Sequence, residues 1–445
     1  MVEQPRTPED VKALVAERDI RFLRFWFTDI LGQLKSFAIN AEELDDAFAR
    51  GVGFDGSSIT GFNAIEESDM VAVPDPGTFA VLPWRPEEQG VARMFCDIRT
   101  PEGTPYEGDP RHVLRSAINR AAAMGFDTFE VGAELEYFLF KDSAGTEVLD
   151  QGGYFDLTTL DAGSDVRRET VLALEQLGIA VEYSHHESGP SQHEIDMRHA
   201  PALKAADDVM THRITVKELA MKHGWHATFM PKPLFGENGS GMHTHLSLAK
   251  DGRNAFFDAD DPYFLSEVGK AFIAGQLRHA RELASIFAQY VNSYKRLVPG
   301  YEAPVYVAWS RRNRSALARV PPHRAGREQS TRMELRCPDP ACNPYLTFAA
   351  LLQAGLEGIE KGYELPEPME KNLYHLAPEH RRRQGIGQLP ETLGEAIELT
   401  AESELVLRTF GEHMFNRYVE IKRREWEDYR VQVTQWELER YLPVL

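Results

Sequence analysis

Two glutamates within an apolar segment have the spacing of a cation site. Residues 129–140 are predicted to form a β-strand, and because the side chains of a strand alternate between its faces, Glu134 and Glu136 share a face. Two buried carboxylates are costly unless a cation or hydrogen bonds compensate their charge. Alternatively, both glutamates lie on the solvated face of an edge strand. A bound metal ion is therefore a hypothesis that needs further ligands.

Two later segments contain such ligands. Residues 183–194 include three histidines and two glutamates. A glycine-rich turn at 238–241 leads into a predicted strand on which His243, His245 and Ser247 share one face. Each pattern alone is also typical of polar surface or of a structural hairpin. Together, several carboxylates with one imidazole favour Mg²⁺ or Mn²⁺ over Zn²⁺, which prefers thiolates or several histidines.

Arginines are concentrated between residues 311 and 336. This stretch has two glutamates and eight arginines, which are Arg311, Arg312, Arg314, Arg319, Arg324, Arg327, Arg332 and Arg336. Guanidinium groups suit phosphate and carboxylate oxygens, although a solvated face and ion pairs between subunits are alternatives. Arg332, Glu334 and Arg336 alternate and are predicted to project together. Walker and dinucleotide-binding loops are absent from the sequence, so metal ions and arginines would have to hold any nucleotide, as in phosphoryl transfer.

Composition excludes several classes of protein. The 445 residues carry 69 acidic and 49 basic side chains, a formal net charge of -20, which argues against nucleic acid or anionic lipid as a partner. The first ten residues lack the apolar core of a secretory signal, and no apolar run approaches the ~18 residues of a membrane span. Cys96, Cys337 and Cys342 are too few for a disulfide framework and are expected to be buried thiols. We expect a cytoplasmic protein.

Helix and strand patterns divide the chain near residue 104. Thr7, Asn40 and Asp109 are expected to cap helices, and Gly51 to end one. Predicted helices cover residues 8–18, 40–51, 110–125, 165–177, 200–223, 262–290, 342–361 and 392–435. Predicted strands cover residues 22–30, 35–39, 93–98, 129–140, 179–184, 226–230 and 242–248, with one more near Val71. The Pro- and Gly-rich segment 100–110 is the predicted linker.

The order of motifs along the chain resembles that of type I glutamine synthetase. The matching motifs are FDGSS at 54–58, ELE at 134–136, GGYF at 152–155, HHESGPSQHE at 185–194, MPKP at 230–233, NGSGMHTH at 238–245, KRLVPGYEAP at 295–304, NRS at 313–315 and NPYL at 343–346. Each motif alone is weak or moderate. Together, in this order and from end to end of the chain, they make the resemblance specific.

The resemblance implies both a fold and a reaction. The fold would be α+β, with a small N-terminal β-grasp domain (residues 1–104) and a large catalytic domain (105–445) built on a curved antiparallel sheet with helices. The reaction would be ATP-dependent ligation of ammonium to the γ-carboxylate of L-glutamate through γ-glutamyl phosphate. Mg²⁺ or Mn²⁺ would be the cofactor, with two or more ions per active site, and ATP a substrate.

The resemblance also implies residue roles. One metal ion would be held by Glu136, Glu187 and Glu194, and the other by Glu134, His243 and Glu334. Catalytic roles would belong to Asp55 as the base for ammonium, Glu302 on a flap over the intermediate, and Arg314 and Arg319 beside the phosphates. Substrates would contact Ser58, Tyr154, Asn238, Gly239, Arg296 and Arg336. The nucleotide would contact Glu182, His245, Ser247 and Arg332.

In that family Asp55 reaches the active site of a neighbouring subunit, so the resemblance implies a homo-oligomer, a dodecamer of two hexameric rings. Tyr374 lies where one branch is adenylylated, but the residues after it differ, and we do not expect that regulation here. Two alternatives keep the fold. One is a γ-glutamyl ligase for a polyamine or ethanolamine, and the other is a non-catalytic structural or regulatory ring.

Overall fold

A computed structural model describes residues 7–62, 68–301, 303–322 and 326–445, which fold around two β-sheets. In these ranges no helix combines the length and the apolar character needed to cross a membrane. Cys96, Cys337 and Cys342 are buried and free, as predicted. The content is α+β, also as predicted.

The first sheet lies in the N-terminal part. Its strands and flanking helices are α1 (Pro8–Glu17), β1 (Ile20–Thr28), β2 (Leu34–Asn40), α2 (Leu44–Arg50), β3 (Val52–Asp55), β4 (Asp69–Pro74), β5 (Ala80–Val81) and β6 (Gly90–Arg99). The described strands are ordered β2-β1-β6-β4-β3, with β5 also on β6. β1 and β6 are parallel, and the other pairs are antiparallel. Phe25, Phe27 and Met94 belong to its buried core.

Capping residues set the helix boundaries in this part. Thr7 and Asp10 form the reciprocal pair of hydrogen bonds that starts α1. Gly51, with φ of 72°, ends α2 because its backbone conformation is unfavourable for other residues. The prediction for Asn40 was wrong in detail. Its side chain makes no capping bond, and a 3₁₀ turn over Ala41–Glu43 precedes the α-helix, which begins at Leu44.

The second sheet carries most of the later strands. They are β7 (Thr128–Phe140), β8 (Val181–His186), β9 (Gln192–Met197), β10 (Ala200–Pro201), β11 (His226–Thr228), β12 (Met242–Lys250), β13 (Arg253–Asn254), β14 (Tyr306–Ser310), β15 (Ala316–Arg319), β16 (Met333–Leu335) and β17 (Gly387–Gln388). Among the described residues the order is β17-β14-β15-β16-β12-β7-β9-β8. The pairs are antiparallel except β14 with β15.

Helices accompany the strands in this part of the chain, and several of them pack against the sheet. The helices are α3 (Pro110–Ala123), α4 (Ser164–Gln176), α5 (Ala202–Lys222), α6 (Glu267–His279), α7 (Ala284–Phe287), α8 (Ser293–Arg296), α9 (Pro344–Lys361), α10 (Pro378–Arg383), α11 (Leu393–Ala401), α12 (Glu404–Arg430) and α13 (Gln435–Tyr441). Leu135, Tyr137 and Leu139 of β7 are buried in the core, which leaves the opposite face of β7 for Glu134 and Glu136.

Two of the predicted helices are each divided into shorter helices in the structure. The segment predicted at 262–290 is divided into α6 and α7. The segment predicted at 392–435 is divided because Ser403 caps a new helix after α11, and Gly411 interrupts helical geometry inside α12 with φ of 75°. Apolar residues keep their helical spacing across both breaks, so this spacing alone could not locate the breaks.

Candidate active site

Strand register brings distant acidic residues to one place. β7 lies between β9 and β12, and its Glu136 is directly opposite Glu194 of β9. Glu134 is opposite His243 of β12 on one side and Asp196 of β9 on the other. Opposed residues of antiparallel strands project to the same face. All five side chains therefore line one cavity of about 380 Å³.

β16 adds a fourth strand to this wall through Glu334, which is in register with His245. The Glu334 carboxylate is 1% exposed and accepts hydrogen bonds from Arg319 Nε at 2.5 Å and Arg336 Nη1 at 2.6 Å. Burial acts to raise its pKa, but the positive charge of Arg336 and the nearby histidines lower the pKa to about 2. Glu334 is thus an anion at neutral pH.

Glu134 is held by imidazoles rather than guanidinium groups. Its carboxylate lies 3.1 Å from His243 Nδ1 and 2.5 Å from His245 Nε2. A carboxylate only accepts hydrogen bonds, so both of these ring nitrogens donate. Arg332 Nε donates to the other nitrogen of His245 at 3.0 Å. Burial raises the pKa of Glu134, but His245 and His243 bring it well below its ordinary value.

Three other acids of the cavity are compensated less. Burial and the negative charge of Glu187 raise the pKa of Glu136 to about 8. Burial and Glu134 raise the pKa of Asp196 to about 8, and burial with Glu136 raises that of Glu194 well above its ordinary value. Burial and mutual repulsion here outweigh the nearby positive charge. The cavity therefore has the electrostatics of a site that accepts additional cations.

Two groups of side chains in the cavity have the spacing of metal ligands. The ligand atoms of Glu134, Glu194 and His243 lie within 4.8 Å of one another, and so do those of His185, Glu187 and Glu194. Glu194 belongs to both groups. Carboxylate oxygens with few imidazoles suit hard divalent cations such as Mg²⁺ or Mn²⁺. The arrangement can hold divalent ions next to Arg319 of β15 and Arg336, which follows β16.

Comparisons with known proteins identify the family. Models of the glutamine synthetase β-grasp domain and catalytic domain match residues 19–101 and 107–441. Glutamine synthetase of Methanosarcina mazei is 53% identical over 443 residues, covering 99% of this chain and 98% of that protein. That of Mycobacterium tuberculosis is 52% identical, covering 98% and 99%. The chain belongs to the glutamine synthetase family. It is an enzyme, and this full-length similarity supports glutamine synthesis rather than ligation of a larger amine.

Solved structures of glutamine synthetase relatives agree with the fold. A structure described as a GmaS/ADP complex has a TM-score of 0.89 at 31% identity and covers all of both chains. Plasmodium falciparum glutamine synthetase has a TM-score of 0.87 at 25% identity and covers 98% of each chain. The predicted N-terminal β-grasp domain and the large antiparallel sheet with helices are thereby confirmed.

Most residues predicted from the glutamine synthetase resemblance line the cavity. They are Glu134, Glu136, Tyr154, Glu187, Glu194, Asn238, Gly239, His243, Arg296, Arg314, Arg319, Glu334 and Arg336. The predicted ligand triplets do not coincide with the two spatial groups, because Glu136 and Glu334 line the cavity outside both groups. Arg296 is anchored by donating to the carbonyls of Cys337, at 2.8 Å, and of Arg336, at 3.0 Å.

Other predicted residues lie outside the cavity lining. His245 donates to Glu134, and Arg332 donates to His245, so both residues are linked to the cavity through Glu134. Glu182 of β8 is 3.5 Å from Arg198, and Ser247 lies further along β12. Glu302 falls outside the described residues.

Asp55 and Ser58, predicted for the ammonium pocket, belong to the N-terminal sheet and the turn after it. Both are exposed, and neither lines the cavity of its own chain. A hydrogen bond from Ser57 lowers the pKa of Asp55. Asp55 is thus an exposed carboxylate at neutral pH.

The cavity lining also includes residues to which the sequence assigned no role, among them His185, Gln192 and Asp196. Gln192 Nε2 donates to Glu136 at 3.1 Å, beside the Gly241 amide at 3.0 Å. The signal was available, because Gln192 and Asp196 lie two residues on either side of Glu194 in the same strand. His185 begins the HHESGPSQHE motif, and its spacing from Glu187 gave the same indication.

Proposed function

We propose that this site forms L-glutamine from L-glutamate, ammonium and ATP through γ-glutamyl phosphate, with the predicted residues in the roles that follow. The observation that carries the assignment is the register of β7 with β9 and β12, which sets Glu136 opposite Glu194 and Glu134 opposite His243. Acids that repel each other in this way, next to arginines, suit metal-assisted phosphoryl transfer.

Divalent cations fit the donor set of this chain. The pKa values of Glu136, Glu194 and the partly buried Asp196 are raised, so these acids keep their protons more readily than ordinary carboxyl groups and would release them when a divalent ion binds. We assign one ion to Glu136, Glu187 and Glu194 and the other to Glu134, His243 and Glu334. When bound, Mg²⁺ or Mn²⁺ would neutralise phosphate charge and act as a Lewis acid.

The arginines orient the two anionic substrates. Arg296 and Arg336, both buried, would pair with glutamate carboxylate oxygens, since a guanidinium fork matches a carboxylate. Arg314 and Arg319 would face the phosphoryl group that is transferred. The γ-carboxylate must be phosphorylated first, because a carboxylate is inert to amines. Arg332, His245, Ser247 and Glu182 would contact the nucleotide, and Asn238 and Gly239 the glutamate.

The acceptor side requires a second subunit. Tyr154 and Glu187 line the cavity, whereas Asp55 and Ser58 are exposed on the N-terminal part of the same chain. We propose that Asp55 and Ser58 enter the cavity of a neighbouring copy, where Asp55 takes the proton from ammonium. Glu302 would close over the intermediate and exclude water. A dodecamer of two hexameric rings, with active sites between subunits, would satisfy this requirement, and the buried free thiols fit the cytoplasm.

One assay tests the assignment. Phosphate release is measured with saturating ATP, glutamate and Mg²⁺ while the acceptor is varied among ammonium, methylamine, ethanolamine and putrescine. We expect ammonium to give far higher turnover than the larger amines, with glutamine as the product identified by mass spectrometry. A higher turnover with putrescine or ethanolamine would overturn the acceptor assignment, and no release with any acceptor would favour the non-catalytic ring.

A further inference from the structure

A buried polar cluster lies on the opposite side of β8 and β9 from the cavity. His185 and Glu194 face the cavity, whereas the next residues along each strand, His186 and His193, face away from it. Asp150 lies beside this pair, its side chain 4% exposed. These residues have no part in the proposed chemistry.

Asp150 joins two separate segments through a single carboxylate. Its Oδ1 accepts from the amide of Ser191 at 2.8 Å and from His186 Nε2 at 3.1 Å. The same oxygen accepts from the amide of Gly152 at 3.3 Å, and Oδ2 accepts from the amide of Ala162 at 2.9 Å. One carboxylate thus closes the 150–162 loop and ties it to the turn after β8.

Both tied segments carry residues of the proposed acceptor pocket. The 150–162 loop contains Tyr154, and Phe155 N donates to the carbonyl of His186 at 3.1 Å. The turn between β8 and β9 begins with Glu187, whose carbonyl lies 2.7 Å from His186 Nδ1. Asp150 and His186 therefore connect Tyr154 to Glu187 from behind.

The turn is fixed at its other end as well. Ser191 is fully buried with φ of 58°, and its Oγ accepts from the amides of Leu149 at 2.5 Å and Asp150 at 3.2 Å. A non-glycine residue in this region of backbone space is held by its surroundings. The Asp150 carboxylate and the Ser191 hydroxyl thus bind each other's segments reciprocally.

The cluster already contains its own cation. Asp150, Asp161, His186 and His193 have ligand atoms within 4.8 Å of one another. Arg167, however, donates to His193 Nδ1 at 2.8 Å and to Asp161 Oδ2 at 2.5 Å. A guanidinium group cannot accept, so Nδ1 of His193 must be the acceptor nitrogen of a neutral ring. Its Nε2 then carries hydrogen and is unavailable to a metal ion. The cluster is suited to holding structure, not to binding metal.

We propose that Asp150 is a positioning residue for the acceptor amine, which sets the distance between Tyr154 and Glu187 without touching substrate. This inference rests on the proposed function, because it assumes that these two residues bind the amine. Small displacements of positioned groups are costly for rate, on the order of 10²-fold for about 1 Å. Loosening this connection should therefore impair the use of the acceptor amine more than the binding of ATP.

The experiment compares Asp150→Asn with Asp261→Asn in the full-length protein. Asp261 organises a loop in the same manner, since its Oδ1 accepts from the amides of Tyr263 at 2.9 Å and Leu265 at 3.1 Å, but it does not line the cavity. For Asp150→Asn we expect kcat/KM for ammonium to fall by about 10-fold or more, while KM for ATP changes by less than about 2-fold. We expect neither selective effect for Asp261→Asn.

Hydroxylamine distinguishes positioning from general damage. It reacts as a neutral nucleophile and depends less on a pocket for a cation, so the ratio of kcat/KM for ammonium to that for hydroxylamine should fall. A merely structural defect would lower both values equally. Ser191→Ala removes the reciprocal anchor and should shift the ratio in the same direction by about 3-fold, which decides the question if Asp150→Asn does not fold. An unchanged ratio in the folded variants overturns the inference, whereas an inactive wild type would overturn the proposed function instead.

Discussion

His185 Nε2 lies 3.1 Å from the carboxylate of Glu194, and through Glu194 the two groups of candidate metal ligands share a member. Each group alone has three ligand atoms, so removing the shared carboxylate weakens both groups. Asp196 lies two residues further on the same face and also lines the cavity, but it belongs to neither group. Substitutions of Glu194 and of Asp196 therefore provide a matched comparison.

We therefore expect Glu194→Gln to weaken binding of Mn²⁺ at least 10- to 100-fold and to abolish most activity, because even residues behind metal ligands contribute on that scale. Asp196→Asn should retain most of the affinity. Calorimetric titration of the metal-free variants with Mn²⁺ measures both. Equal losses in the two variants would contradict the assignment of Glu194 as the shared ligand.

Asp55→Ala should preserve assembly and reduce transfer to ammonium by about 10² or more, since a positioned base contributes that much. If Asp55 acts in a neighbouring subunit, co-assembled Asp55→Ala and Glu194→Gln chains should recover about a quarter of wild-type activity, because random mixing pairs intact residues at that fraction of interfaces. Activity is measured on the mixed oligomer and on each variant alone. No recovery would indicate that each chain completes its own site.

Gly241→Ala should impair glutamate use. A Cβ on Gly241 would lie 2.6 Å from Arg296 Nη2 and 3.2 Å from Glu136 Oε1, so the anchored guanidinium group must shift. We expect KM for glutamate to rise about 10-fold or more, because Arg296 is placed to bind its carboxylate. Gly145→Ala is the control, since a Cβ there would meet nothing within 4 Å. Steady-state kinetics with glutamate varied distinguish the two, and unchanged KM in Gly241→Ala would contradict the role of Arg296.

His212 should make the fold sensitive to acid. It is fully buried between Tyr137 and Phe229, and burial followed by the charge of Arg213 lowers its pKa to about 3 from 6.5. Between pH 3 and pH 6.5, His212 binds a proton in the unfolded chain but not in the folded protein. The contribution of His212 to the free energy of unfolding is therefore fully present above about pH 6.5. It is lost as pH falls below that value, by up to ~1.4 kcal/mol per pH unit.

His212→Leu removes this titration. Neither ring nitrogen of His212 has a hydrogen-bond partner among the described residues, so the substitution also removes buried polar atoms whose desolvation costs about 1–3 kcal/mol. We expect the unfolding temperature of the variant to depend less on pH between 7 and 5 than that of the wild type. Parallel curves for the two proteins in differential scanning fluorimetry would contradict the prediction.

Local pattern in the sequence determined much of the site. Alternation along a strand was sufficient to place Glu134 and Glu136 on one face, and capping residues such as Thr7 and Asp109 were sufficient to start helices where the structure has them. Both signals depend on neighbours within a few residues, which is why they can be interpreted without a fold. Boundaries between consecutive helices, as at Ser403, were not evident because apolar residues keep the same spacing on both sides of the break.

Only the tertiary structure decided which distant residues meet. Glu136 faces Glu194, and Glu134 faces His243, because β7 pairs with β9 and β12 in one particular register, and a shift of one residue would turn the acids to the other face. Strand pairing with β9 also brought His185, Gln192 and Asp196 to the cavity, whereas Asp55 lies on β3 of the other sheet. Register results from the burial of whole sheets, a non-local property that no single segment encodes.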